Sequence, residues 1–250
     1  MKNLLCLTTA ACLHWLVDAV NTMHDPLDVL VVDDASPLPI LSGIRNFCLL
    51  NGLEFKTFFE PGGLTRSWNY AYQFFLKNNY DTLIISNDDV RFTEGFSRDF
   101  IRGMKKFDVV CPVSNSPTSN RQRFRPQWID NYSSIKTSPR KKSRRLIQAD
   151  IKKRHGKGPF LKVKTFNGFC FGFSRRIDKF IHSEGNLFNP GLINTKNEIE
   201  LARRMRVKGG TVAVCKTSYV WHQKAGTFKE LKLPVKDWLW PSSPLFKEEY

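Results

Sequence analysis

Carboxylates stand where two of the apolar runs end. Leu83-Ile84-Ile85-Ser86 leads into Asn87, Asp88 and Asp89 before the chain turns apolar again at Val90, and Leu30-Val31-Val32 leads into Asp33 and Asp34. Adjacent carboxylates repel, so a pair held at the end of a buried strand calls for positive charge between it and a ligand. A third acidic pair, Glu198 and Glu200, opens the helical segment NEIELARRMRVK, where a carboxylate also favours the positive end of a helix. His222 closes the late apolar run beside Trp221, a place that also suits a satisfied core histidine. The other titratable groups are dispersed. Six cysteines form no C-x-x-C pair, and His14, His24, His155 and His182 are scattered. A zinc site is not expected, and the thiols read as small buried apolar groups in a reducing compartment.

Strands and helices must bring these residues together. The chain has 250 residues, enough for one large α/β domain to bury roughly 70–75% of its unfolded surface without staples. A hydrophobic content of 41% excludes wholesale disorder. Residues 3–9 read as a buried strand and 10–22 as an amphipathic helix with Leu13, Leu16, Val17 and Val20 on one face. The alternative for this stretch, a signal peptide, fits less well. Thr8, Thr9, His14 and Asp18 interrupt the apolar run, which is too short to span a bilayer. The protein is therefore expected to be cytoplasmic (host cytoplasm if viral), not secreted and without a transmembrane segment.

A βα rhythm continues from there. Strands are expected near 27–36, 53–60, 80–86 and 108–114, alternating with helices near 38–51, 63–79 and 96–107. After residues 114–161 the pattern resumes with a strand at 163–174, a short helix at 175–183, a helix at 197–208 and a strand at 211–222. This alternation predicts an α/β protein with a single open, mostly parallel sheet flanked by helices, whose ligands bind beyond the carboxyl ends of the strands.

The ordered series VVDDAS, GGLTRSWNYAY, SNDDV, FNGFCFGFSRR, NEIELARR and YVWHQKAGTF resembles glycosyltransferase family 2 on the GT-A fold, from about residue 3 to residue 228. The resemblance implies an inverting transferase that takes a nucleotide-diphosphate sugar, UDP-sugar favoured, with Mn2+ or Mg2+ on the pyrophosphate. Carried onto this chain, it puts Asp34 on the nucleobase, flanked by Thr8 and Thr9. Arg66 and Asn69 fall on a helix entered through Gly62-Gly63, a favourable place for phosphate. Asn87 and Asp88 would face ribose and sugar, Asp89 would ligate the metal, and His222 would add a metal or phosphate contact. Asn87 stands where the family's D-x-D element begins with an acid, which leaves fewer acids for a cation. In Asn197-Glu198-Ile199-Glu200-Leu201 the family's E-D-x-D-L becomes softer and longer, and Glu198 falls on the base position. Gly168 would lie in the floor beneath donor and acceptor. Bland readings stand beside these: Asp34 as a turn initiator before Ser36-Pro37, Arg66 as a solvated charge, Glu198 and Glu200 as helix-end acids.

Charge is concentrated in one segment. The net charge is +16, and residues 121–164 hold fifteen Lys and Arg against Asp130 and Asp150, or +13. Arg121, Arg123, Arg125, Lys141, Lys142, Arg144 and Arg145 interleave with Phe124, Trp128 and Tyr132, which suits a polyanionic acceptor with stackable groups. Hydroxylated bases in DNA, as some phages carry, are favoured over a lipid-linked or glycan acceptor met through peripheral contact with an anionic membrane. The competing readings are a solubilising loop, a non-catalytic nucleic-acid-binding α/β domain, and a receiver-like domain built on Asp33 and Asp34. The expected organisation is a GT-A domain over 1–228, with a nucleotide-sugar half (1–113), a basic acceptor-side insertion (114–164) and a catalytic half (165–228), followed by a tail at 229–250.

Overall fold

The computed structural model describes residues 1–115, 158–183 and 185–223. Strands β1 (Asn3–Thr9), β2 (Asp28–Asp34), β3 (Glu54–Phe58) and β4 (Thr82–Asn87) alternate with helices α1 (Leu13–Thr22), α2 (Leu38–Leu50) and α3 (Gly63–Lys77). Then come β5 (Val90–Phe92), α4 (Phe96–Met104), β6 (Val109–Val113), β7 (Phe160–Val163), β8 (Cys170–Ser174), a 3-10 helix (Arg175–Phe180), α5 (Asn197–Val207) and β9 (Val212–His222).

One sheet runs in the order β3-β2-β1-β4-β8-β6-β9-β5, with β7 also on β9. Strands β3, β2, β1 and β4 pair in parallel, so Phe58, Asp34, Thr9 and Asn87 all end at one edge. The second half departs from the parallel expectation. β8 inserts antiparallel between β4 and β6, and β9 pairs in parallel with β6 but antiparallel with β5 and β7. The apolar run at 163–174 splits: β7 precedes it, β8 takes its end, and residues 164–169 turn between them. β7 lies inside the span read as the basic insertion. The expected helix at 175–183 is a 3-10 turn.

The inner parallel strands β1, β2 and β4 are apolar along their middles because both faces are covered, whereas the edge strand β3 is mixed. Leu4, Cys6, Leu30, Val32, Leu83 and Ile85 point to the core under α3 and α5, with Trp68, Tyr72 and Phe75 at its centre. Leu5, Leu7, Val31 and Ile84 point to the opposite core under α1, α2 and α4. Successive residues serve opposite layers, the period-two rule of a strand. Gly172 admits α4 against β8, since a Cβ there would come 2.8 Å from Phe100 Cε1. Among the described residues, no helix is long and apolar enough to cross a membrane.

Candidate active site

β4 and β5 flank the turn that carries Asp88 and Asp89, and both carboxylates are only 3% exposed. Thr9 at the tip of β1 donates from Oγ1 to Asp88 Oδ2 at 2.6 Å. Burial, then the neighbouring Asp89, holds the Asp88 carboxyl well above the usual carboxylate range, against the pull of that hydrogen bond. The β5–β9 register sets Val90 opposite His222, and His222 Nε2 lies 3.2 Å from Asp89 Oδ1. Asn115 clamps the His222 backbone from both sides, accepting its N–H at 2.8 Å and donating to its carbonyl at 3.1 Å.

The donor set fits a hard divalent cation. Neither ring nitrogen of His222 has a hydrogen-bond partner, and buried Asn87 Oδ1 is likewise unbonded. Two ligand atoms on adjacent corners of a Mg2+- or Mn2+-sized octahedron stand about 3.0 Å apart, close to the His222–Asp89 separation. Among the described residues no three His, Cys, Asp or Glu side chains converge. Asp89 and His222 would be the one or two protein anchors usual where substrate phosphates complete the shell.

At the neighbouring strand end, Asp34 is already engaged. It accepts from the Gly62 and Gly63 amides at 3.1 and 2.8 Å and from Arg66 Nη2 at 2.5 Å. Arg66 also donates to the Glu60 carbonyl and lies 3.9 Å over the Phe58 ring. The next two amides of α3 go to Asn194 Oδ1 (Leu64, 2.9 Å) and the Ile193 carbonyl (Thr65, 3.0 Å). All four leading N–H groups of α3 are thus occupied, so the glycine entry read as a phosphate cradle serves this junction. Asn69 grips both backbone groups of Phe188, at 3.0 and 2.9 Å, and fixes the loop beside α3. Thr8 Oγ1 donates to the Ser86 carbonyl, while Asp33 turns inward to Ser36 and Thr57. A cleft of about 400 Å3 opens beside Arg66, bounded by Phe58, Tyr70 and Asn186.

Glu198 sits in the first turn of α5, over the turn before β8. A Cβ on Gly168 would stand 2.7 Å from Trp68 Cη2 and 3.4 Å from Glu198 Oε2, so the glycine makes room for the Trp68 ring and lies against the carboxylate. Burial raises the Glu198 carboxyl above its ordinary range, with the Glu198 and Gly168 amides acting the other way. Glu200 points elsewhere and pairs with Arg204 at 2.8 Å, which also bonds the Phe180 and Leu187 carbonyls.

Phe169 was not singled out by the sequence, yet it joins the two groups. Its ring stacks on His222 with centroids 4.7 Å apart, and its carbonyl accepts from Asn87 N and Ser86 Oγ. Asn115 was missed too, although a polar residue just beyond an apolar strand was an available signal. Arg121, Arg123, Arg125, Trp128, Lys141, Lys142, Arg144, Arg145 and the tail at 229–250 lie outside the described residues.

This sheet, with carboxylates at the ends of its parallel strands, has the GT-A glycosyltransferase fold, and solved structures bear this out. The chain is similar to GalNAc-T7, crystallised with UDP, GalNAc and Mn2+ (TM-score 0.62, 13% identity, 89% of this chain and 44% of that one). It is also similar to S. aureus TarS 1-349 (TM-score 0.58, 14% identity, 92% and 63%). A third similar structure is the mannosyltransferase PcManGT from Pyrobaculum calidifontis with GDP-Man and Mn2+ (TM-score 0.56, 15% identity, 92% and 59%). The chain spans about half the length of the solved structures it matches. No protein-family model and no curated protein sequence matches it.

Proposed function

We propose that the chain is an inverting glycosyltransferase that moves a sugar from a nucleotide-diphosphate sugar, UDP-sugar favoured, to a hydroxyl acceptor. One observation carries this reading: the dipeptide Gly168–Phe169 places the raised carboxyl of Glu198 on one side and the Asp89–His222 pair on the other. The fold is that of structures solved with UDP or GDP-Man and Mn2+, which supports a nucleotide-sugar donor.

In this reading Asp34 meets the nucleobase, with Thr8 and Thr9 beside it, and its partner Arg66 faces the phosphates. Asn87 and Asp88 face the ribose and the sugar. Asp89 and His222 would hold Mn2+ or Mg2+, which neutralises charge on the departing diphosphate when bound. Glu198 takes the acceptor hydroxyl's proton as that oxygen bonds to the anomeric carbon. The bond from that carbon to the diphosphate breaks, and its electron pair leaves with the nucleotide. Attack opposite the leaving group inverts the anomeric centre. The +13 segment supports a polyanionic acceptor, with hydroxylated DNA bases favoured.

Thermal unfolding against a panel of nucleoside diphosphates, with and without Mn2+, tests the donor site. A ligand at a hundred times its Kd adds about 2.7 kcal/mol, a shift of roughly 5–10 °C at this chain length. The expected result is a metal-dependent shift with UDP that is lost in Asp89→Ala. A flat panel overturns the proposal.

A further inference from the structure

The base helix is tied to the donor helix by one hydroxyl. Thr65, 2% exposed in the first turn of α3, brings Oγ1 within 2.8 Å of Asn197 Oδ1, the residue before Glu198. The same oxygen lies 3.0 Å from the Ile193 carbonyl and also meets that of Leu192. Around this point the segment before α5 presses closely on α3. Asn194 caps the Leu64 amide, and Gly63, at φ +80, would carry a Cβ 2.4 Å from Ile193 Cγ2. Lys196, the residue preceding α5, takes a left-handed backbone at φ 63, a conformation a lysine holds only when its surroundings fix it.

From these contacts, and resting on the glycosyltransferase reading above, we infer that Thr65 is a positioning residue: by holding Asn197 it sets the place of the Glu198 carboxylate. The donor counts agree. Thr65 has one hydroxyl proton facing three acceptors, while Asn197 Nδ2 is buried with no hydrogen-bond partner. Turning the Asn197 amide over gives Nδ2 a partner and frees the hydroxyl proton, with Oδ1 moving to the place Nδ2 held. Nδ2 then donates to Thr65 Oγ1, and the hydroxyl donates onward to a carbonyl of Leu192 or Ile193. A carboxylate at position 197 has no hydrogen to give to this chain of bonds. In that orientation the amide that departs from the acidic pattern suits this junction. Asp34 binds the Gly62 and Gly63 amides of the same turn, so the nucleobase end of the site and the base share one support.

The test compares Thr65→Val, which keeps the shape and removes the hydroxyl, with Thr65→Ser, which restores it. Thr65→Val is expected to lower kcat by about five- to tenfold, the effect of one buried hydrogen bond, with donor KM within about twofold of wild type. Thr65→Ser is expected to recover most of the loss. A wild-type kcat in Thr65→Val, or equal losses in both variants, overturns the inference. So does a loss of nucleotide affinity in step with kcat, which would mark general damage to α3. Amide hydrogen exchange over residues 194–200 reads the junction without turnover. It is expected to speed up in Thr65→Val and not in Thr65→Ser, with α4 unchanged. Unaltered exchange overturns the positioning role even if no donor is found. Altered exchange in a protein that transfers no sugar leaves the junction standing and overturns the catalytic reading instead.

Discussion

The Phe169 ring lies almost parallel to the His222 imidazole, 13° between planes and 4.7 Å between centroids. Through this contact the turn that carries Gly168 reaches both the His222–Asp89 pair and Glu198. Phe169→Ala is therefore expected to harm stability and chemistry together. Emptying a buried phenylalanine site costs about 3–5 kcal/mol, and the freed imidazole loses the stack that fixes its plane. Phe169→Leu fills most of the volume but cannot stack. It should return most of the stability in a denaturant titration while leaving the metal concentration for half-maximal activity raised.

How much of this was legible in the residues varies from element to element. β1, β2 and β4 announce themselves as apolar runs, and their parallel ends collect Thr9, Asp34 and Asn87 as read from the chain. The antiparallel direction of β8 was not legible, because alternation gives a strand its faces and not its direction. β5, three residues long, is too short to show a period, yet it holds His222 opposite Val90. Glu198 stood out as an acid at a helix start, while the structure pairs Glu200 with Arg204 one turn on. The filling of the α3 N-terminus by Ile193 and Asn194 was invisible, since its partners are well over a hundred residues away. Phe169 carried no local mark among the four phenylalanines of FNGFCFGFSRR.

Glu198 and Glu200 should separate cleanly. Glu198→Gln removes the proton acceptor and is expected to lower turnover about 10²- to 10⁴-fold, whereas Glu200→Gln should keep turnover and lose stability at the Arg204 pair. Burial raises the Glu198 carboxyl, and only the charged form accepts a proton. Activity should therefore fall as pH drops through an apparent pKa above the ordinary glutamate range. The stability sign follows from the same shift. A raised folded-state pKa contributes stability that is present below the unfolded value and lost as pH rises through the folded one. Glu198→Gln should thus match wild type in acid and exceed its melting temperature near neutrality. A pH–rate profile and melting curves across pH check both.

Binding to duplex DNA should be steep in salt if the segment at 121–164 meets the backbone. Each neutralised phosphate contributes a slope of about −0.9 in log K against log salt, so six contacts give roughly −5. Replacing Lys141, Lys142, Arg144 and Arg145 with Gln should make that slope shallower while leaving the nucleotide-induced melting shift intact. A flat salt dependence removes the DNA acceptor and leaves the donor site untouched.

Asp34 is expected to matter before any ligand arrives. Its carboxylate accepts two backbone amides at the head of α3 and the Arg66 guanidinium, and its side chain is only 15% exposed. Asp34→Ala leaves those donors without their acceptor, a loss of about 2–3 kcal/mol, or roughly 5–10 °C in melting temperature. Asp34→Asn keeps one acceptor oxygen but turns an NH2 toward the remaining donors, so its melting temperature should fall between the two. If the sole role of Asp34 were to read the nucleobase, the unliganded variants would melt with wild type and differ only when nucleotide is added. Loss in the unliganded protein, with a further loss of the nucleotide shift, would show that one carboxylate both caps the helix and reads the donor.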